Sequence, residues 1–500
     1  MIKRSQNSSF EETSFPDNTD WNAIKWHKVE KYVDKMQKQI YRAVSEKDFR
    51  KVRHLQIILI NSEAVLLLAI KKVTQVNKGK RTPGIDGYRA LNDKKRAELF
   101  DTMKCMNIEL HNPKPAYRRY IRKKNGKFRS LGIPIIKDRI YQEIIRMALE
   151  PQAEAHFEPI SYGFRPKRGC HDAMGRIMNN IMHGNWSWIF EGDFKSCFDT
   201  LDHDFILKKI KGFPLYNLVE KFLKAGYVDN DVLYSSNKGT PQGGILSPLL
   251  ANIALHGMEE TLKISYRKRT RKGYVYYATE GNYRMVRYAD DFVIFANSKE
   301  DIEVVYDILK PYLEERGLEL AEDKTRITHI SDGFDFLGFN FRRYKTFNGI
   351  IHLCKPSKES IKGFKSKVAE ICRQMHGSSV DALINRLNPL IRGTANYWKP
   401  TVAKVIFTHM DNYIWIKIYK FVRRLHPNKP MKWIKERYFP HYFDGKHYGN
   451  WILTGPNEGN TLIKMVWTPI RRHIMIQFNH SPYDKSKYEY FTKRRFNCFG

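Results

Sequence analysis

Residues 284–296 read Arg284-Met285-Val286-Arg287-Tyr288-Ala289-Asp290-Asp291-Phe292-Val293-Ile294-Phe295-Ala296. Two short apolar runs flank the Ala-Asp-Asp centre. Their aromatic and β-branched content suits strands, so the pattern predicts a hairpin with acid at its tip. Asp-Asp is common in turns, but adjacent carboxylates between buried strands are costly unless paired or bound to a cation. Upstream, residues 186–194 (Trp-Ser-Trp-Ile-Phe-Glu-Gly-Asp-Phe) read as a buried strand that ends in carboxylate at Asp193. Asp193 precedes Asp290 by 97 residues (290 − 193). Hard oxygen ligands of this kind suit Mg²⁺. Two such ions can activate a 3′-hydroxyl, steady a leaving pyrophosphate and clamp an in-line phosphoryl transfer.

The charge of the chain supports a polyanionic partner. Its 500 residues hold 87 Lys and Arg against 53 Asp and Glu, a net charge of +34. That balance favours nucleic acid or an anionic membrane. The most apolar stretch, 57–70, contains Asn61, Ser62 and Glu63 and is too short to span a bilayer. The N-terminus lacks the apolar run of a signal peptide. The expectation is a chain that is not secreted and needs no membrane, in a reducing bacterial, archaeal or organellar interior. The six cysteines form no Cys-x-x-Cys pair, which argues against a zinc site and a disulfide framework.

Outward from the acidic hairpin, the chain divides by pattern. Val29, Val33, Met36, Ile40 and Val44 recur at helical spacing, with lysines 25, 28, 31, 35 and 38 beside them. A single apolar helix is predicted over about 55–72. Residues 118–135 read as a hairpin turning at Asn125-Gly126. Residues 239–260 begin Gly-Thr-Pro-Gln-Gly-Gly and continue as an apolar helix. Lys263, Arg267, Lys268, Arg269, Arg271 and Lys272 crowd ten residues without an acid. From 341 to 440 there are 21 Lys and Arg against 5 Asp and Glu, net +16.

These stretches resemble, in order, the boxes of reverse transcriptases. Tyr288-Ala289-Asp290-Asp291 is similar to the Tyr-x-Asp-Asp box, and Asp193 to Asp199 to the box with the first catalytic aspartate. Gly239-Thr240-Pro241-Gln242-Gly243 is similar to the Pro-Gln-Gly box. Gly317-Leu318 with Asp323-Lys324-Thr325, and Phe336-Leu337-Gly338, resemble the two boxes that follow. The likeness narrows to the intron-encoded maturases of mobile group II introns. Residues Thr82 to Gly87, Leu131 to Pro134 with Asp138-Arg139, and Ser161 to Pro166 resemble their N-terminal and finger motifs. Leu387 to Gly393 followed by Asn396-Tyr397-Trp398 resembles their maturase, or thumb, motif.

The resemblance implies an α+β right-hand polymerase fold. It implies an N-terminal RNA-binding extension over 1–75, fingers and palm over 76–345 and a helical thumb or maturase domain over 346–425. A small basic DNA-binding region over 426–500 follows, and without paired cysteines no endonuclease domain is expected. Catalysis would rest on Asp193, Asp290 and Asp291 with two Mg²⁺ ions, the carbonyl of Phe194 completing the set. The nucleotide would meet Lys123, Arg129, Phe198, Gln242 and Lys324. Phe198 would stand against the sugar and exclude a 2′-hydroxyl, favouring dNTPs. The basic run from Lys263 to Lys272, with Arg423 and Arg424, would contact nucleic acid. The partners implied are group II intron RNA, an RNA template with a DNA primer, a DNA target and dNTPs. The alternatives are a host-adopted reverse transcriptase in repair or defence and a splicing-only RNA-binding maturase.

Overall fold

The computed structural model describes residues 20–122, 126, 128–271 and 273–499. They form two compact units that are not contiguous in sequence. One is Met1–Gly169, Phe190–Ile327 and Ile476–Gly500; the other is Cys170–Ile189 and Thr328–Met475.

The first unit begins with three helices, α1 (Trp26–Ser45), α2 (Phe49–Asn61) and α3 (Glu63–Lys71). On α1 the periodic residues Val29, Val33, Met36, Ile40 and Val44 are all buried, as their spacing predicts. The single helix predicted over about 55–72 is two helices. Ser62 breaks it in extended backbone (φ −76°, ψ 138°). Its hydroxyl donates to the Leu59 carbonyl at 2.9 Å and accepts from the Val65 N–H at 3.3 Å. A serine can end one helix and cap the next because its side chain satisfies backbone groups that the break leaves open. Helix α4 (Asp93–Lys104) follows, capped by Asn92.

Strands β1 (Ala116–Arg122) and β2 (Phe128–Ile133) form the predicted hairpin, in antiparallel register from Tyr117↔Ile133 to Arg122↔Phe128. Gly126 in the turn has φ +83°. Lys123, Asn125 and Lys127 lie outside the described residues. Helix α5 (Ile136–Glu154) is buried on nearly every face and packs with α1, α2 and α3.

Among the described residues eight strands come next, including the two that carry Asp193 and Asp291. They are β3 (Trp188–Asp193), β4 (Tyr227–Asp229), β5 (Val232–Tyr234), β6 (Ser265–Arg271), β7 (Tyr274–Glu280), β8 (Arg284–Tyr288), β9 (Asp291–Ala296) and β10 (Arg326–His329). β4 and β5 extend the first hairpin into a sheet of order β2-β1-β4-β5. A second sheet runs β10-β3-β9-β8. Its central strands are apolar on both faces, with Phe190 and Phe292 to Ala296 buried. Gly192 makes room for the Phe292 ring, since a Cβ there would stand 2.2 Å from Cζ. β6 and β7 form a separate two-stranded ribbon.

The chain from Ile476 returns to this unit. The Tyr483 hydroxyl donates to the Glu150 carboxylate at 2.6 Å. Arg168 donates to the Phe478 carbonyl at 3.1 Å, and the Phe478 ring stacks on Tyr277 with centroids 4.0 Å apart.

The second unit holds a three-stranded sheet, β11 (Phe334–Phe336), β12 (Phe339–Thr346) and β13 (Gly349–Pro356), in that order. Helices α6 (Lys358–Gln374), α7 (Val380–Trp398) and α8 (Lys404–Leu425) follow, and then a short helix, Met431–Tyr438. Position 345 falls within β12, whose antiparallel partner is β13. Trp398, Phe407, Ile391 and Leu387 are among its most deeply buried side chains.

Candidate active site

Antiparallel pairing of β8 with β9, from Arg284↔Phe295 to Tyr288↔Asp291, leaves Ala289 and Asp290 as the turn. Ala289 has φ +58°, a left-handed conformation uncommon outside glycine. Asp290 sits at the tip and Asp291 opens β9. Asp193 ends β3, the strand beside β9. The chain pairing therefore gathers three carboxylates at one end of one sheet.

Their electrostatics show mutual repulsion. Burial first, and then the charges of Asp290 and Asp193, push the Asp291 carboxyl up to about 7, against the lowering influence of Lys324. Asp290 is also raised, first by burial and then by Asp193, against the lowering influence of Arg129 and Lys324. The Lys324 ammonium donates to the Asp193 carboxylate. The Asp193 carbonyl accepts from the Ala321 N–H at 2.8 Å, which ties the strand end to the turn carrying Lys324. Phe194 is buried, with its ring 5.1 Å from that of Phe292.

Among the described residues, no group of three His, Cys, Asp or Glu side chains is close enough to hold a metal ion as it stands. The donor chemistry nevertheless fits a divalent cation. Three hard-oxygen donors repel one another, and the Lys324 ammonium compensates Asp193.

A cleft of about 280 Å³ lies beside this cluster, lined by Phe198, Gly239, Gln242, Arg118 and Tyr227 among others, and by none of the three aspartates. The loop 239–243 is seated closely. At Gly239 (φ +81°) a Cβ would stand 2.6 Å from the Asp199 backbone. The Gln242 carbonyl accepts from the Gly132 N–H at 2.7 Å, and its side-chain oxygen accepts from Arg129 Nε at 2.9 Å. So the fold brings Arg129, Gln242 and Phe198 together, and Arg129 is close enough to Asp290 to favour its charged form. Phe198 is 8% exposed, with its ring edge-on to Phe164 at 6.4 Å. Lys123 lies outside the described residues.

The basic run forms one edge of the ribbon. Arg267, Lys268, Arg269 and Arg271 are exposed, as is Lys263 before them, while Lys272 lies outside the described residues. Strand alternation puts Arg267, Arg269 and Arg271 on one face. Arg267 and Arg269 stand 3.1 and 3.7 Å from Glu280, which offsets part of their charge. The opposite face carries Tyr266 and Tyr277, both against Phe478. Arg423 and Arg424 are exposed at the C-terminal end of α8, in the other unit, where Arg423 donates to the Lys429 carbonyl at 3.1 Å.

Sequence reasoning assigned no role to Asn252 and Arg287, both 1% exposed and hydrogen-bonded beneath the acidic turn. The strand offered no signal for Arg287, since β8 carries a second arginine, Arg284.

Comparison with known proteins shows the family of the chain. Residues 121–341 match the family described as "Reverse transcriptase (RNA-dependent DNA polymerase)". Residues 21–103 match "N-terminal domain of reverse transcriptase", and 361–439 match "Group II intron, maturase-specific domain". The group II intron-encoded protein LtrA of Lactococcus lactis subsp. cremoris is 34% identical over 64% of this chain, which spans 66% of LtrA's own length. Protein YkfC of Escherichia coli (strain K12) is 33% identical, over 63% of this chain and 90% of its own length. Maturase-like protein 1 of Euglena gracilis is 26% identical, over 75% and 76%.

Proposed function

Because this chain belongs to the group II intron-encoded reverse transcriptase and maturase family, we propose that it copies RNA into DNA and helps its intron RNA to fold and splice. The observation that carries the polymerase reading is the convergence of Asp193, Asp290 and Asp291 at one end of the β3–β9–β8 sheet. These residues, with the Phe194 carbonyl, would hold two Mg²⁺ ions. The chemistry supplied when they are bound is activation of a primer 3′-hydroxyl and neutralisation of the departing pyrophosphate.

The protein groups around them prepare the encounter. Arg129 fixes Gln242, whose glycine-flanked loop lets backbone approach the nucleotide. Arg129 and Lys324 bring positive charge to its phosphates, with Lys123 as a third cation. Phe198 bounds the sugar and leaves no room for a 2′-hydroxyl, so dNTPs are the substrates. The primer 3′-oxygen bonds to the α-phosphorus as the bond to pyrophosphate breaks.

The maturase reading rests on the match over residues 361–439 and on distributed positive charge. Intron RNA would meet the exposed lysines of α1, the arginine face of β6 and the arginines ending α8. The template–primer would engage the segment 346–425, and target DNA the segment 426–500. Among the described residues no helix is long and apolar enough to cross a membrane.

The maturase half is tested by splicing of the intron RNA that encodes the chain, at a Mg²⁺ concentration too low for self-splicing. Faster excision with the purified protein is expected. Excision at the protein-free rate would confine the reading to DNA synthesis.

A further inference from the structure

The Asp290–Asp291 turn does not hold its own shape. Ala289 is held in left-handed backbone, which a residue with a Cβ adopts only at a conformational cost. Something must keep it there if the carboxylates are to stay registered with Asp193.

The surrounding contacts identify what does. Arg287 lies on β8 two residues before Ala289 and is 1% exposed. Its Nη1 donates to the Ala289 carbonyl and to Asn252 Oδ1, each at 3.2 Å. Asn252, on the helix Ser247–Ala254, donates in turn from Nδ2 to the Gly163 carbonyl at 2.8 Å. Gly163 lies flat on the turn, since a Cβ there would stand 2.3 Å from the Ala289 nitrogen. The backbone closes the same circuit: Arg287 N–H donates to the Ile160 carbonyl at 3.1 Å, and Tyr162 N–H to the Arg287 carbonyl at 2.9 Å.

A buried guanidinium needs a counter-charge. Glu158 supplies it, with Oε2 3.6 Å from Arg287 Nη2. Its other oxygen is fixed by the N–H groups of Gly257 and Glu259 at 2.9 and 2.8 Å. Asn252 also links the turn to the nucleotide side. Its helix begins at Ser247, whose hydroxyl donates to the Pro241 carbonyl at 2.8 Å, next to Gln242.

We infer that Arg287 and Asn252 are positioning residues: they brace the Ala289 turn against Gly163 and so set the spacing of Asp290 and Asp291 relative to Asp193. Neither touches substrate. They act on the geometry of the metal-holding carboxylates, so the inference rests on the metal-holding role proposed for the three aspartates.

The test is Mn²⁺ binding by the full-length protein, followed by electron paramagnetic resonance, with single-turnover primer extension beside it. Outer-shell partners of metal ligands typically set affinity by tenfold or more, so Asn252→Ala should weaken Mn²⁺ binding by about tenfold. Extension should slow by at least about tenfold, as expected when reacting groups are misplaced, while the Kd for primer–template stays the same. Gly163→Ala reads the same packing from the opposite side. It removes no hydrogen bond, yet its methyl pushes on Ala289, and it should shift Mn²⁺ affinity in the same direction. Arg287→Lys keeps the charge without the forked geometry and should fall between. Unchanged Mn²⁺ affinity in folded Asn252→Ala and Gly163→Ala overturns the inference, as does a loss of extension that tracks weakened primer–template affinity. A wild-type protein that binds Mn²⁺ through Asp290 but does not extend a primer would sink the polymerase reading alone. The Mn²⁺ titrations would still decide the brace.

Discussion

The ammonium of Lys324 donates to the carboxylate of Asp193. The lysine side chain is 57% exposed and the aspartate 19%, so the pair closes the acidic cluster from its solvent side. That bond is the largest influence holding Lys324 above the usual lysine range. Exposed pairs of this kind are weak, about 0–1 kcal/mol, so a divalent ion and a triphosphate can take the lysine away from Asp193.

Removing Lys324 should therefore have two opposite effects. Lys324→Ala should tighten Mn²⁺ binding in the absence of nucleotide by up to about fivefold, since a competing interaction of about 1 kcal/mol or less is gone. It should raise the KM for dNTP, because the same ammonium then contacts phosphate. Metal titration and steady-state extension measure the two effects. Unchanged values in both would make Lys324 a surface ion pair with no place in the site.

Phe198 lines the cleft that also holds Gln242 and the Gly239 loop. Phe198→Val should raise the efficiency of rNTP use relative to dNTP, by on the order of tenfold or more if the ring is the steric barrier, because one clash removed is worth a few kcal/mol of discrimination. The ratio of kcat/KM for the two nucleotides is the readout. A ratio equal to that of the wild type would reduce Phe198 to packing against Phe164.

A buried carboxyl near the ribbon predicts a pH effect on stability. Burial first, and then the charge of Glu158, pushes the Glu259 carboxyl up to about 8. The folded chain thus keeps a proton that the unfolded chain releases in the ordinary carboxylate range. The unfolded state binds fewer protons, so stability falls as pH rises from that range to the raised value, and is level beyond it. Glu259→Gln, which can still accept from the Tyr266 hydroxyl now 3.0 Å away, removes the penalty. Its melting temperature should match the wild type near pH 4.5 and exceed it by a few degrees at pH 8, for a penalty of about 1–3 kcal/mol. A difference that does not change with pH would contradict the assignment.

How much of this was legible in the sequence depends on the range of the interactions. Apolar runs around Asp290-Asp291, the Asn125-Gly126 turn signal and the stripe from Val29 to Val44 are local patterns, and the strands and helix they predict are present. The break at Ser62 was hidden because a short polar interruption, Asn61-Ser62-Glu63, in an apolar run reads as a tolerated exception until the capping bonds of Ser62 are seen. Arg287 was hidden for another reason. Its partners Asn252 and Glu158, and Gly163 beyond Asn252, are distant in sequence, and nothing in the strand itself tells a buried arginine from an exposed one. The return of the C-terminal segment was equally hidden. It rests on pairs such as Tyr483 and Glu150, 333 residues apart.

The dispersed positive charge predicts salt-sensitive RNA binding through separable surfaces. Truncating residues 1–50 would strip the buried face of α1 from the core, so side-chain substitution is the cleaner probe. Changing Lys25, Lys28 and Lys31 to Gln, or Arg267, Arg269 and Arg271 to Ala, should each weaken intron-RNA binding. Each should also flatten the slope of log K against log salt by about 0.7–0.9 for every phosphate no longer neutralised. Extension on a simple primer–template should change little in the first set. An unaltered slope in both sets would leave these faces merely solvated.

The polymerase reading stands or falls on template-directed extension by the purified full-length protein. The reaction holds an RNA template, a DNA primer and Mg²⁺, with dNTPs or rNTPs, and runs beside Asp290→Asn. Full-length DNA product from dNTPs in the wild type is expected, with far less from rNTPs and none from the variant, whose intron-RNA affinity is kept because that binding comes from dispersed phosphate contacts. Substantial extension by Asp290→Asn in Mg²⁺ would contradict the assignment of the three carboxylates as the catalytic centre.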